Sequence, residues 1–265
     1  MCLIAVAVDA HPRWRFVLAG NRDEFHERPT APAGFLDADE RTFGGRDLQA
    51  GGGWLQVDRR GRVAAVTNVR LGRPESAPRS RGDLVARYVA GSASAREALA
   101  ALAPLAPAFG RFNLLLWDGT RGRPEGHYAS NHPTWRQSPL DAGVHALSNA
   151  DLDTPWPKTT ALSAVLSGWI AHADRRTPRE GDAGLEPLFA ALADPREAED
   201  AALPDTGVGL DWERRLSAAF IRGRDYGTRA STVVLVGDDG LWFEERRFGP
   251  DREAAGRIGR WLARR

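Results

Sequence analysis

The chain has 265 residues, 42% of them hydrophobic and 27% charged, which is enough to bury a sizeable core and is unlike disordered or fibrous sequences. Its 36 lysines and arginines stand against 35 aspartates and glutamates, and the cations are scattered, so the footprint of a nucleic-acid binder is missing. One cysteine excludes an internal disulfide and makes a reducing cytoplasm the expected address.

The opening apolar run LIAVAV has no basic residue before it and no cleavage pattern after it, so it reads as a buried strand rather than a signal peptide. With WRFVLAG it forms a first hairpin across DAHPR, and WLQVD with RVAAVTNV forms a second. Residues 27–53 between them are rich in Gly and Pro without a period, which marks a long functional loop. Ser80 is placed to cap a helix closed by Gly91, and SAREALAALAPL forms another. RFNLLLW, GHYAS and GVHALSN are three further strands, with a turn around Pro133. Helices are expected from about Thr159 to Ala173, from about Leu185 to Ala193, and in WERRLSAAF. STVVLVG and LWFEERRF pair around Gly240, and DREAAGRIGRWLARR reads as a closing amphipathic helix with Ile258, Trp261 and Leu262 on one face.

Blocks of antiparallel hairpins separated by blocks of helices give an α+β fold, two mainly antiparallel sheets with helices packed outside them. No linker divides the chain, so one domain over residues 1–265 is expected. The best apolar window, ALSAVLSGWIAHA, falls short of the roughly 18 uninterrupted apolar residues of a membrane span, and stable membrane insertion is not expected. The six histidines lack metal-type spacing and no phosphate loop is present, so no metal or cofactor is expected.

The chemistry concentrates at the start. Cys2 is small enough to let methionine aminopeptidase remove Met1, which would give one residue both a thiol and a free α-amine. The amine, with an ordinary pKa of about 7.7–8, is then the base for its own nucleophile, the logic of N-terminal nucleophile hydrolases. The hairpin returns Asn21-Arg22-Asp23-Glu24 to the start of the first strand, where aspartate can hold the amine and arginine can lower the thiol pKa or grip a carboxylate. The competing reading is a small apolar residue in a buried strand beside an ordinary strand-end turn. Asn68 and Asn149 each close an apolar strand, where an amide can donate to an oxyanion, and each is also an ordinary turn residue type. Arg229 stands just before a strand, but arginine is too abundant here for a lone one to carry weight: Lys158 is the only lysine. Asn21, Glu24, Arg46 and Trp54 are the candidate substrate contacts, and Trp135 and Trp156 are further aromatics placed to line a pocket shaped by residues 27–53 and 122–139.

The segments MCLIAVAV, NRDEFHERPTAPA, GGRDLQAGGGWLQVD, SRGDLV, ALSNADLDTPWPK and DYGTRASTVVLV resemble, in the expected order, the NRDE family, also called the transport-and-Golgi-organisation family. That family is similar in turn to the choloylglycine hydrolase and penicillin V acylase group. The resemblance implies a four-layer αββα sandwich, a mature N-terminal cysteine cleaving non-peptide amide bonds, and catalytic roles at Cys2, Arg22, Asp23, Asn68, Asn149 and Arg229. Arg22 and Asp23 are adjacent here, whereas two residues separate their counterparts in that group. The expected function is amide or acyl hydrolysis of a small molecule; the alternative is a non-catalytic carrier of a lipid, acyl or haem-like ligand on the same fold. Related folds often pair, so a homodimer is a further expectation.

Overall fold

The computed structural model describes residues 2–72, 76–120, 124–172, 178 and 183–264. In chain order the first half comprises β1 (Cys2–Val8), β2 (Phe16–Phe25), β3 (Thr30–Phe35), β4 (Thr42–Asp47), β5 (Leu55–Asp58), β6 (Val63–Asn68), α1 (Gly82–Ala90), α2 (Ala95–Leu102) and β7 (Phe112–Asp118). The second half adds β8 (Glu125–Ser130), β9 (Arg136–Pro139), β10 (Gly143–Leu147), α3 (Pro157–His172), α4 (Glu186–Leu192), α5 (Leu210–Ser217), β11 (Tyr226–Val236), β12 (Gly240–Phe248) and β13 (Ala254–Ala263).

The strands form two antiparallel sheets, six strands in the order β10-β1-β2-β11-β12-β13 and seven in the order β3-β4-β5-β6-β7-β8-β9. Strand alternation sorts side chains between layers. In β1 and β2, Ile4, Val6, Phe16 and Leu18 enter the core between the sheets, while Leu3, Ala5, Val17 and Ala19 pack outward against α3 and α4 through Leu162, Leu166, Leu188 and Leu192. The other sheet packs Ala64, Val66, Leu114 and Leu116 against α1 and α2 through Leu84, Val85 and Leu99. The result is the expected α+β sandwich with helices outside both sheets.

Three local expectations are corrected. Residues 27–53 are not one loop but contain β3 and β4. Their alternation is broken by a register shift between Ala31 and Gly34, which accommodates Pro32 on an edge strand, where a missing donor is tolerated. The closing segment is β13, not a helix: it pairs with β12 from Gly240↔Ala263 to Phe248↔Ala254. Ile258 and Leu262 enter the intersheet core and Trp261 packs on the opposite face, a period of two. Gly256, at φ 125°, and Gly259 remove the helical preference that the alanines and arginines imply. Strand β9, passed over as part of a turn, extends the second sheet past β8. Ser80 accepts the Gly82 N–H at 3.2 Å one residue before the Arg81 cap position. Ala173, the expected end of α3, and residues 122–123 of the proposed pocket segment lie outside the described residues.

Candidate active site at the end of the first two strands

Cys2 opens β1 and pairs in register with Arg22 of β2, which puts both side chains on the intersheet face. Asp23, the next residue, turns to the helix face, and the register sets it opposite the position before Cys2, the side on which the Cys2 backbone nitrogen lies. The adjacency of arginine and aspartate therefore divides them between two faces: Arg22 shares the thiol's face and Asp23 takes the helix face.

Each is fixed by neighbours. The Arg22 guanidinium lies 4.5 Å from the Trp54 ring centroid, donates to Thr30 Oγ1 at 3.2 Å and stands 3.6 Å from Asp47. Trp54 itself sits on Gly45, where a Cβ would come 2.1 Å from the ring. Asp23 accepts from Thr228 Oγ1 at 2.7 Å, and its register partner Thr228 lies just before the bulge that displaces Arg229. Burial raises the Asp23 pKa, opposed by Lys158, the Thr228 hydrogen bond and Arg22. Burial also pushes the Cys2 thiol up and the Asp23 charge adds to this, while Arg22 and the Asp23 backbone N–H favour thiolate.

The two asparagines join the same site through one hydrogen-bond chain. Ser148 Oγ donates to the Cys2 carbonyl at 3.0 Å, and the adjoining Asn149 donates through Nδ2 to the Asn68 carbonyl at 2.8 Å and to Asn68 Oδ1 at 3.2 Å. With its Oδ1 so engaged, Asn68 keeps Nδ2 as a donor with no partner among the described residues. Thr67 Oγ1 reinforces the junction by donating to the Ser148 carbonyl at 2.6 Å.

The remaining expected residues divide. Asn21 donates to the Leu192 and Ala219 carbonyls at 2.8 and 2.7 Å and accepts from Ser231 at 2.7 Å; it is committed to clamping α4 and the segment before β11 onto β2, not presented to a substrate. Glu24 stands 3.8 Å from both Arg22 and Arg28. Arg229 donates to the Phe25 and Arg28 carbonyls at 2.7 and 3.2 Å and so shapes the turn after β2 rather than touching Cys2. Arg46 is exposed and donates to the Gly51 carbonyl at 3.3 Å. Trp135 packs in the α1–α2 layer, away from Cys2, whereas Trp156 lies 4.6 Å beneath the buried Arg70 guanidinium.

Two groups were missed from the sequence. Arg70, whose N–H donates to the Asn149 carbonyl at 2.8 Å, pairs with Glu213 at 3.2 Å, both side chains almost wholly buried. Lys158 is buried with its Nζ on the Leu216 carbonyl at 2.8 Å. Its singularity in the composition was the available signal. No group of three or more His, Cys, Asp or Glu among the described residues is arranged to hold a metal, and none of their helices is long and apolar enough to cross a membrane.

Residues 1–250 match the family model described as Transport and Golgi organisation 2. The chain belongs to this family. A Transport and Golgi organization protein 2 homolog from Bos taurus is 33% identical over 262 residues, spanning 93% of this chain and 92% of the relative. The Homo sapiens homolog is 30% identical over 273 residues, with the same coverage. Among solved structures, a C2A mutant of the conjugated bile acid hydrolase of Clostridium perfringens aligns at TM-score 0.53 and 7% identity, covering 99% of this chain and 92% of that one. A Caenorhabditis elegans N-acylethanolamine-hydrolyzing acid amidase ortholog aligns at 0.52 and 11%, covering 89% and 92%. At such identities the likeness is one of fold, and the fold is that of N-terminal nucleophile hydrolases.

Proposed function

We propose that this protein is an N-terminal cysteine amidohydrolase that cleaves a non-peptide amide, or a related acyl bond, of a small molecule in the cytoplasm. The observation that carries the reading is the β1–β2 register, which pairs Cys2 with Arg22 and turns Asp23 toward the amino side of Cys2. After Met1 removal, Asp23 holds the Cys2 α-amine. As Sγ bonds to the substrate carbonyl carbon, the thiol proton passes to that amine, and the Asn68 Nδ2 donates to the developing oxyanion. The proton moves on to the leaving nitrogen as the carbon–nitrogen bond breaks, giving a thioester and a free amine. Water, deprotonated by the α-amine, attacks the thioester; the acid leaves and the thiol regains its proton. The amide class of substrate is supported by the two neighbours of like fold, named for hydrolysing conjugated bile acids and N-acylethanolamines.

One observation favours a second reading. Burial pushes the Cys2 thiol upward, the condition of an inert cysteine, and without a free α-amine the site would serve as a carrier for a lipid, acyl or haem-like ligand. Intact-mass measurement of cytosolically expressed protein separates the two: loss of one methionine is expected, and a retained Met1 overturns the hydrolase. On a panel of N-acyl amides, Cys2→Ala is expected to reduce turnover by at least about 100-fold while leaving ligand binding in place. A carrier would bind saturably with no turnover in either form.

A further inference from the structure

On the side of the second sheet that faces away from Cys2, a cavity of about 330 Å³ opens between that sheet and the helices α1 and α2. Its size lies within the range of small-molecule sites. Leu99, Phe109 and Leu114, all buried, supply its apolar wall. Its charged side chains are of one sign: Arg62, Arg79 and Arg87 line it, and no aspartate or glutamate among the described residues does.

Arginine is the default cation of this chain, so none of the three carries weight by identity alone. The lack of counter-charge does. Arg62 is 1% exposed, and a guanidinium buried so deeply ordinarily has a carboxylate beside it. Asp58 does not serve: it accepts the Arg62 backbone N–H at 3.0 Å and gives its other oxygen to Arg60 at 2.5 Å. The Arg62 side chain donates instead to the Gly91 and Ala93 carbonyls past the end of α1 and lies 3.9 Å from the Tyr88 ring centroid. Its Nε has no hydrogen-bond partner among the described residues. Capping a helix end accounts for the two carbonyl contacts, but it leaves the Nε and the net charge unanswered. Arg79 lies 4.9 Å from the Phe109 ring centroid and Arg87 is exposed on α1. Neither has a carboxylate at ion-pair distance among the described residues.

An apolar hollow bordered by unpaired cations is complementary to one kind of molecule. We propose that this cavity binds a free small molecule with an apolar body and an anionic head of the carboxylate class, the body against Leu99, Phe109 and Leu114 and the head on the arginine side. The site is separate from Cys2, because the second sheet stands between them, and binding there requires neither Met1 removal nor turnover.

Three probes of one chain length isolate the charge: decanoate, decanol and decyltrimethylammonium, each kept below its micelle concentration and titrated by calorimetry. Decanoate is expected to saturate at one molecule per chain and to bind at least about tenfold more tightly than either of the others. Equal affinity for all three, or none for decanoate, overturns the proposal. Ala98 of α2 also lines the cavity and is half-buried, so Ala98→Trp is expected to fill the space and weaken decanoate by at least about tenfold. Unchanged binding in a folded Ala98→Trp protein puts the ligand elsewhere and overturns the proposal. The double variant Arg79→Gln, Arg87→Gln leaves the buried Arg62 in place and probes the head group alone. Decanoate is expected to weaken about tenfold while decanol binds as before; a parallel loss of both probes, or of neither, overturns the proposal.

Discussion

Inside the fold, Lys158 titrates at about 8 instead of near 10.5, because burial disfavours the ammonium more than Asp23, Cys2 and Glu213 favour it. The folded state thus binds the Lys158 proton more weakly than the unfolded state does. Between these two values the unfolded chain holds more protons, and this group's contribution to stability rises with pH. Chemical denaturation of wild type and Lys158→Met in parallel is expected to show the difference between them moving in favour of wild type from pH 8 to pH 10.5. The ceiling is about 3 kcal/mol. A lysine retained only for packing would give a pH-independent difference. The same scale explains how far the site was legible: Cys2, Arg22, Asp23, Asn68 and Asn149 sit at strand ends that hydrophobic alternation marks. Arg70 and Lys158 stand beyond two of those strand ends, past the alternating residues, where no hydrophobic period marks a position.

At the scale of elements, β2 carries two functions by alternation. Its even positions, Arg22 and Glu24, face the sheet opposite; its odd positions, Asn21 and Asp23, face the helices. Asn21→Ala is expected to leave two carbonyls and the Ser231 hydroxyl buried without their partner, costing about 2–4 kcal/mol in urea denaturation. A loss below about 0.5 kcal/mol would return Asn21 to the candidate substrate contacts. The hairpins and most helices followed from periodicity because each buries a continuous face. Strands β3 and β4 did not, since Pro32 and the paired Gly44–Gly45 interrupt their alternation. The helical reading of β13 failed because composition outweighed its two glycines, whereas pairing with β12 decided the conformation.

Across the whole molecule, the two sheets meet over an apolar core that also contains a carboxyl group. Glu245 of β12 accepts the Ala33 N–H of β3 at 2.9 Å through one oxygen, while the other has no hydrogen-bond partner among the described residues, and burial raises its pKa to about 7. A carboxyl raised in this way stabilises the fold below its ordinary value of 4.5 and loses that contribution as pH rises toward 7. Glu245→Gln is therefore expected to raise the melting temperature at pH 8 relative to wild type and to leave it nearly unchanged at pH 4.5. Equal effects at both pH values would show that Glu245 remains ionised between the sheets.

The order of strands in the first sheet also has a consequence in time. Cys2 and Asp23 are synthesised at the outset, but the strand that closes over Asp23 comes late: 205 residues separate Asp23 from its partner Thr228. At roughly 5–20 residues per second on the ribosome, the nascent amino end waits on the order of ten seconds or more before β11 arrives to cover it. A thiol buried in the finished molecule thus belongs to an amino end whose sheet is completed only late in translation, an interval in which an aminopeptidase would have to act.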